Sequence, residues 1–147
     1  MPHIFDVLHQ DHERVALMLK QIENSADNEK DERASLVAIV RDELETHARF
    51  EEAEVYPAIQ KALGEEEDLR HAVTEHSEAL TILSALEDTA TNGGEWKQYV
   101  KELEAAIQHH VDEEEHELFP QARDKLPETQ AEHLSSSYEN FKQEAQI

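Results

Sequence analysis

The stretch HHVDEEEHELFP, residues 109–120, sets two histidines and a run of acidic residues directly before an apolar Leu-Phe-Pro ending. If it is helical, some of those polar groups must face the interior. Laid against HARFEEAEVYP, residues 47–57, the part beginning at His110 repeats a histidine, two adjacent glutamates, an aromatic residue and a proline at a constant offset of 63 residues. A near-equal offset of 64 relates Asp11-His12 to Glu75-His76. The chain therefore reads as two helical hairpins that carry the same polar insertions.

Working outward, apolar residues at Phe5, Leu8, Val15, Leu19 and Ile22 recur in three- and four-residue steps, which is one buried stripe of a helix over about 2–24. The polar SADNEKDE is a connection, and a second helix runs from about Arg33 to Leu63, where Gly64 stands as a C-terminal cap. A third, about 66–89, carries Leu69, Val73, Leu80 and Leu83 inward. TNGG, residues 91–94, breaks the chain before a fourth helix, which runs from Trp96 through Tyr99, Leu103 and Ile107 and ends before Pro127. Beyond it, residues about 128–145 form a short fifth helix with Leu134, Tyr138 and Phe141 facing inward. Strand-like alternation is nowhere sustained. The expected fold is all-α, an antiparallel up-down four-helix bundle with a short C-terminal fifth helix.

Composition agrees with that architecture. A chain of 147 residues with three glycines and four prolines fits a single domain over 1–147, with a bundle core over 3–125. Thirty-five acidic against thirteen basic residues give a formal net charge of -22, which repels nucleic-acid phosphate and anionic lipid and favours cations. With no cysteine, any bound metal must take nitrogen and oxygen donors. The N-terminal MPHIFDVLHQDHERV lacks a basic start followed by an apolar run, and no segment approaches the ~20 apolar residues that span a bilayer, so a cytoplasmic protein is expected.

His12 extends the rhythm of Leu8 and Val15, His76 sits between Val73 and Leu80, and His110 follows Ile107 by three residues; His47 is equivalent by the repeat. In each His-x-x-x-Glu pair, His47 with Glu51 and His110 with Glu114, the fourth position turns only ~40° past a full circle, so both side chains share a face. One inward histidine is tolerable with a single hydrogen bond. Four histidines and two glutamates are not, because burying an uncompensated carboxylate costs several kcal/mol. No lysine or arginine lies at that level, Arg49 being two positions from His47 and on another face. A metal ion or a pair of ions remains. Nitrogen and carboxylate donors suit iron, manganese or zinc, and six donors exceed the four of one tetrahedral zinc. Two ions sharing bridging glutamates use all six residues and leave room for a small ligand.

In these residues the chain resembles the hemerythrin-like family, also called the HHE cation-binding domain, over about residues 3–125. Its pattern of one His, His-x-x-x-Glu, one His, His-x-x-x-Glu is met by His12, His47, Glu51, His76, His110 and Glu114, with Tyr56-Pro57 and Phe119-Pro120 as matching endings. The resemblance implies two iron ions joined by an oxo or hydroxo bridge, with manganese or zinc as substitutes, Glu51 and Glu114 spanning the pair and the histidines capping it. The prolines would end or kink their helices just past the site. Oxygen-carrying members have a fifth histidine on the third helix, and here both such positions, Ala72 and Leu80, are unsuitable. His9, His71, Glu115, Tyr138 or water are the candidates for that place. Glu115 also fits the carriers' helix-four carboxylate spacing, and the internal repeat and facing angle favour Glu114. His3, His109, His116 and His133 are assigned to the surface.

The leading expectation is a non-haem di-iron protein binding O2, NO or peroxide as carrier, sensor or store. An enzyme that dismutates peroxide or oxidises ferrous iron, an iron donor in iron-sulfur repair, and a metal-free acidic helical module that binds a basic protein are the competing readings. Ferritin-like sites need Glu-x-x-His on two helices, and Glu113 with His116 is the single instance here. The zinc peptidase motif His-Glu-x-x-His does not occur. A haem bundle would need an apolar pocket in place of two inward carboxylates.

Overall fold

The computed structural model describes residues 2–64, 66–89, 91 and 93–145, and all regular structure among them is helical. Helix α1 (Ile4–Glu23) starts where the imidazole Nδ1 of His3 accepts the Phe5 amide at 3.1 Å. His3 is thus a half-buried N-cap and not the surface residue expected. Helix α2 (Lys30–Phe50) starts three residues before Arg33, with Asp31 and Glu32 at its positive end. Arg33 is buried, lies 4.3 Å over the Trp96 ring, and donates to the Ser25 hydroxyl and carbonyl, both at 2.7 Å, and to the Thr91 carbonyl. One guanidinium thereby ties two inter-helix connections together.

The expected second and fourth helices do not end at their prolines. Each passes through one π-helical turn, Glu51–Val55 and Glu114–Leu118, and continues as α3 (Tyr56–Leu63) and α6 (Phe119–Lys125). The Tyr56 amide bonds the Glu51 carbonyl and the Phe119 amide bonds the Glu114 carbonyl, a five-residue step. A wider turn draws the backbone away from the ring of the following proline, whose clash with the carbonyl four residues back would otherwise break the helix. Gly64 closes α3 at φ 71°, the left-handed conformation that a side chain disfavours.

Helix α4 (Glu67–Asp88) and α5 (Gly94–Glu113) complete the ring: α1 packs on α2 and α5, and α4 on the same two. The stripe of α4 runs through Leu69, Ala72, His76 and Leu83. Val73, expected inward, is 39% exposed because it lies one residue off that three-four sequence. Helix α7 (Glu128–Ala145) is the expected fifth helix, with 18 residues over the expected span, and it covers the α1–α2 seam with Leu134 and Tyr138 buried.

The core is split in two. One apolar cluster holds Ile4, Phe5, Leu8, Phe50, Ile59, Phe119 and Leu134, and the other holds Val15, Leu19, Val40, Leu83, Trp96 and Leu103. Along α1 the order is Leu8, then Asp11 and His12, then Val15, so a polar layer crosses the bundle between the clusters.

Candidate metal centre

That layer contains all six residues singled out in the sequence. His12, His47, His76 and His110 are buried at 8–9% exposure, and Glu51 and Glu114 are at 0% and 1%. One donor atom from each of Glu51, His76, His110 and Glu114 lies within 4.8 Å of the others, and the same holds for His12, His47 and Glu114. The carboxylates join the two groups. Glu51 Oε1 is 3.2 Å from His47 Nε2 and 3.0 Å from His76 Nε2. Glu114 Oε1 is 3.3 Å from His12 Nε2, and its Oε2 is 3.5 Å from His110 Nε2.

Four atoms in this centre, His12 Nε2, His47 Nε2, Glu51 Oε2 and Glu114 Oε1, are buried and have no hydrogen-bond partner. Leaving a buried polar atom unmatched costs about 1–3 kcal/mol, more when it is charged. His76 Nε2 and His110 Nε2 approach to 3.0 Å, a separation that suits two donors to one ion. The residues present therefore fit metal cations held by nitrogen and oxygen.

An outer layer that the sequence reading missed supports each imidazole. Asp11 meets His47 Nδ1 at 3.0 Å, Glu52 meets His76 at 2.8 Å, Glu75 meets His110 at 2.9 Å and Glu115 meets His12 at 3.0 Å. A carboxylate on Nδ1 keeps the proton there and turns the Nε2 lone pair to the centre, the usual second contact of a metal-bound histidine. The pattern follows the repeat: the acid before a histidine serves the next helix, and the acid after each inward glutamate serves a helix of the other hairpin. Its signal was an acid directly beside each of four inward residues, in Asp11-His12, Glu51-Glu52, Glu75-His76 and Glu114-Glu115.

Tyr56 was also missed. Its hydroxyl donates to Glu114 Oε2 at 2.5 Å and lies 3.2 Å from Glu51 Oε1 and 3.3 Å from His76 Nε2. Five residues along an α-helix turn roughly 140° away, whereas five across a π turn of about 4.4 residues leave only roughly 50°, which brings Tyr56 onto the face of Glu51. None of the side chains expected to fill the missing histidine's place contacts the inner glutamates. Glu115 bonds His9 and His12 from outside, His9 and His71 are exposed, and Tyr138 donates to Asp11 Oδ2 at 2.5 Å. His109, His116 and His133 are exposed as expected.

The buried acids and imidazoles shift one another's titration. Burial opposes charge on His47, yet Glu51, Asp11 and Glu114 hold its pKa well above the ordinary value. Burial likewise opposes charge on His110, which Glu114, Glu51 and Glu75 push up to about 9. Glu51 falls well below the carboxylate range despite burial, through His47 and His76. Burial, then Glu114 and Glu51, pushes the Tyr56 hydroxyl up. Beside the four histidines lies a pocket walled by Val15, Leu44, Ala79, Leu80, Ile107 and Val111.

Comparison with known proteins identifies the family and the fold. The family described as hemerythrin HHE cation binding domain matches residues 3–122. A DNA nickase from Nostoc sp. is 27% identical over 98% of this chain, which spans 40% of that protein's length. A hemerythrin-like protein of Schizosaccharomyces pombe is 30% identical over 97% of this chain and 70% of its own. The crystal structure of a hemerythrin HHE cation binding domain-containing protein from Mycobacterium kansasii superposes with a TM-score of 0.79 at 23% identity, covering 98% of this chain and 90% of that one, and so shares the fold. The chain belongs to the hemerythrin HHE cation-binding domain family.

Proposed function

We propose that this chain is a non-haem di-iron protein that binds O2, NO or peroxide at a carboxylate-bridged iron pair. The observation that carries the reading is the set of four buried, unpartnered donor atoms facing one centre from two hairpins. His12 and His47 would hold one ion, His76 and His110 the other, and Glu51 and Glu114 would span both. Iron supplies reversible electron transfer to a small oxidant. The chain's own part is positional. Asp11, Glu52, Glu75 and Glu115 fix the imidazole orientations, and the apolar walls from Val15, Leu80 and Ile107 keep water from a bound ligand.

No helix among the described residues is long and apolar enough to cross a membrane. The net charge of -22 argues against carrying the Nostoc protein's nickase activity over to this chain. A second reading, an enzyme that turns over peroxide, is favoured by Tyr56, whose hydroxyl touches both bridging carboxylates and holds a proton there. Anaerobic reconstitution with ferrous iron followed by air tests the first reading. Two irons per chain and the near-ultraviolet absorption of a bridged ferric pair are expected; binding of no iron would reject it. Oxygen evolution from peroxide by the iron-loaded chain, abolished in His47→Ala, would favour the second.

A further inference from the structure

Outside the inner centre, the α4–α5 face carries a second donor cluster. His71 and Glu75 on α4, and His109 and Glu113 on α5, are two more His-x-x-x-Glu pairs, set on adjacent antiparallel helices. One donor atom from each of the four lies within 4.8 Å of the others. His71 Nε2 is 3.3 Å from Glu75 Oε2 and 3.5 Å from Glu113 Oε2. His109 Nε2 is 3.3 Å from Glu75 Oε2 and 3.0 Å from Glu113 Oε1. Donors about 2.0–2.1 Å from a tetrahedral ion stand roughly 3.3–3.4 Å apart, so with either Glu113 oxygen as the fourth donor three of the six edges of such a site are already near that length.

Charge points the same way. Glu75 is 7% exposed, and its two oxygens are divided between His110 Nδ1 on one side and the outer histidines on the other. Among the described residues, the ion-pair partners of Glu75 and Glu113 are histidines alone. Its repeat counterpart, Asp11, lies against Lys142 at 3.2 Å and against Arg14, so that carboxylate is neutralised by fixed cations. The positions equivalent to His71, His109 and Glu113 in the first hairpin are Val7, Thr46 and Phe50, which offer no comparable donors. The second hairpin therefore has donors and lacks a fixed cation where the first has cations and lacks donors. A cleft lined by Asp68, His71, Glu113 and Glu117 also runs from this cluster to His110 and Glu114.

We propose that His71, Glu75, His109 and Glu113 form a peripheral binding site for one divalent transition-metal ion, separate from the inner centre and joined to it through Glu75. Two imidazoles and two carboxylates in near-tetrahedral spacing suit zinc or ferrous iron over calcium or magnesium. The site does not depend on what the inner centre binds.

Zinc(II) is the probe, added to the full chain and counted by elemental analysis after gel filtration, with calorimetric titration for affinity. His71 and His109 are exposed, at 57% and 64%, so the double variant H71A/H109A is expected to keep the melting temperature of the metal-free parent. It should bind one zinc fewer per chain, and Glu113→Gln should weaken the same calorimetric step by about tenfold or more. An unchanged zinc count and unchanged titration in H71A/H109A would overturn the proposal. The inner reading fails separately: a parent that takes a single zinc, lost in H71A/H109A, would leave the peripheral site standing and the inner pair without metal.

Discussion

The two hairpins supply the same inner donors and surround them differently. Around His12 and His47, Asp11 is held by Tyr138, Lys142 and Arg14, α7 covers the seam, and Phe119 stacks 4.4 Å from Phe5. Around His76 and His110, the matching acid Glu75 opens toward exposed histidines, and Tyr56 stands where the repeat has Phe119. Duplication thus accounts for the donors, while an added helix and one hydroxyl make the halves chemically unequal. In the first half the outer acid Asp11 is matched by fixed cations. The second has the Tyr56 hydroxyl as a donor and faces a cleft.

The shared carboxylates give the strongest way to break this comparison. If Glu51 and Glu114 each serve both halves, Glu51→Ala is expected to lower metal content from about two ions to less than one per chain by elemental analysis. Loss of only one ion would show that the halves load independently. The outer acids come next. Asp11→Asn and Glu75→Gln are each expected to weaken metal binding ~10–100-fold in chelator competition. Only Asp11→Asn should also lower the melting point of the metal-free chain, because only Asp11 anchors α7 through Tyr138 and Lys142.

Smaller effects sharpen the contrast. Tyr56→Phe makes the second half resemble the first, and the metal-free chain is expected to lose about 1 kcal/mol in urea unfolding, since a buried hydroxyl donor to Glu114 disappears. The last contrast is with pH. His110, raised from 6.5 to about 9, stabilises the metal-free fold fully below pH 6.5, and that contribution is lost as pH rises through about 9. Asp11, whose pKa is lowered despite burial by His47, Tyr138 and Lys142, acts in the opposite sense: its contribution is complete above the ordinary carboxylate range and lost in acid. Urea midpoints of chelator-treated protein should therefore fall on both sides, and His110→Gln should flatten the alkaline limb alone.

The burial of the six residues was legible because an α-helix repeats every 3.6 residues and both His-x-x-x-Glu pairs keep that period. The fifth helix was legible from the spacing of Leu134, Tyr138 and Phe141, and its 128–145 span is that of α7. Tyr56 was not, since its inward direction comes from a five-residue hydrogen-bond step that only coordinates reveal. The outer acids were visible as neighbours of the donors, but each serves an imidazole on another helix, and spacing within one helix says nothing of that. Val73 misled because its side chain is apolar; the stripe through Leu69 and His76 passes through Ala72, which the smaller side chain concealed.

The central claim is that two cations lie between Glu51 and Glu114, one per hairpin. Anomalous diffraction at the iron edge, from crystals of the iron-loaded chain, addresses it directly. Two peaks roughly 3.5–4 Å apart are expected, one beside His12 and His47 and the other beside His76 and His110. A single peak, or none among these six residues, would contradict the account.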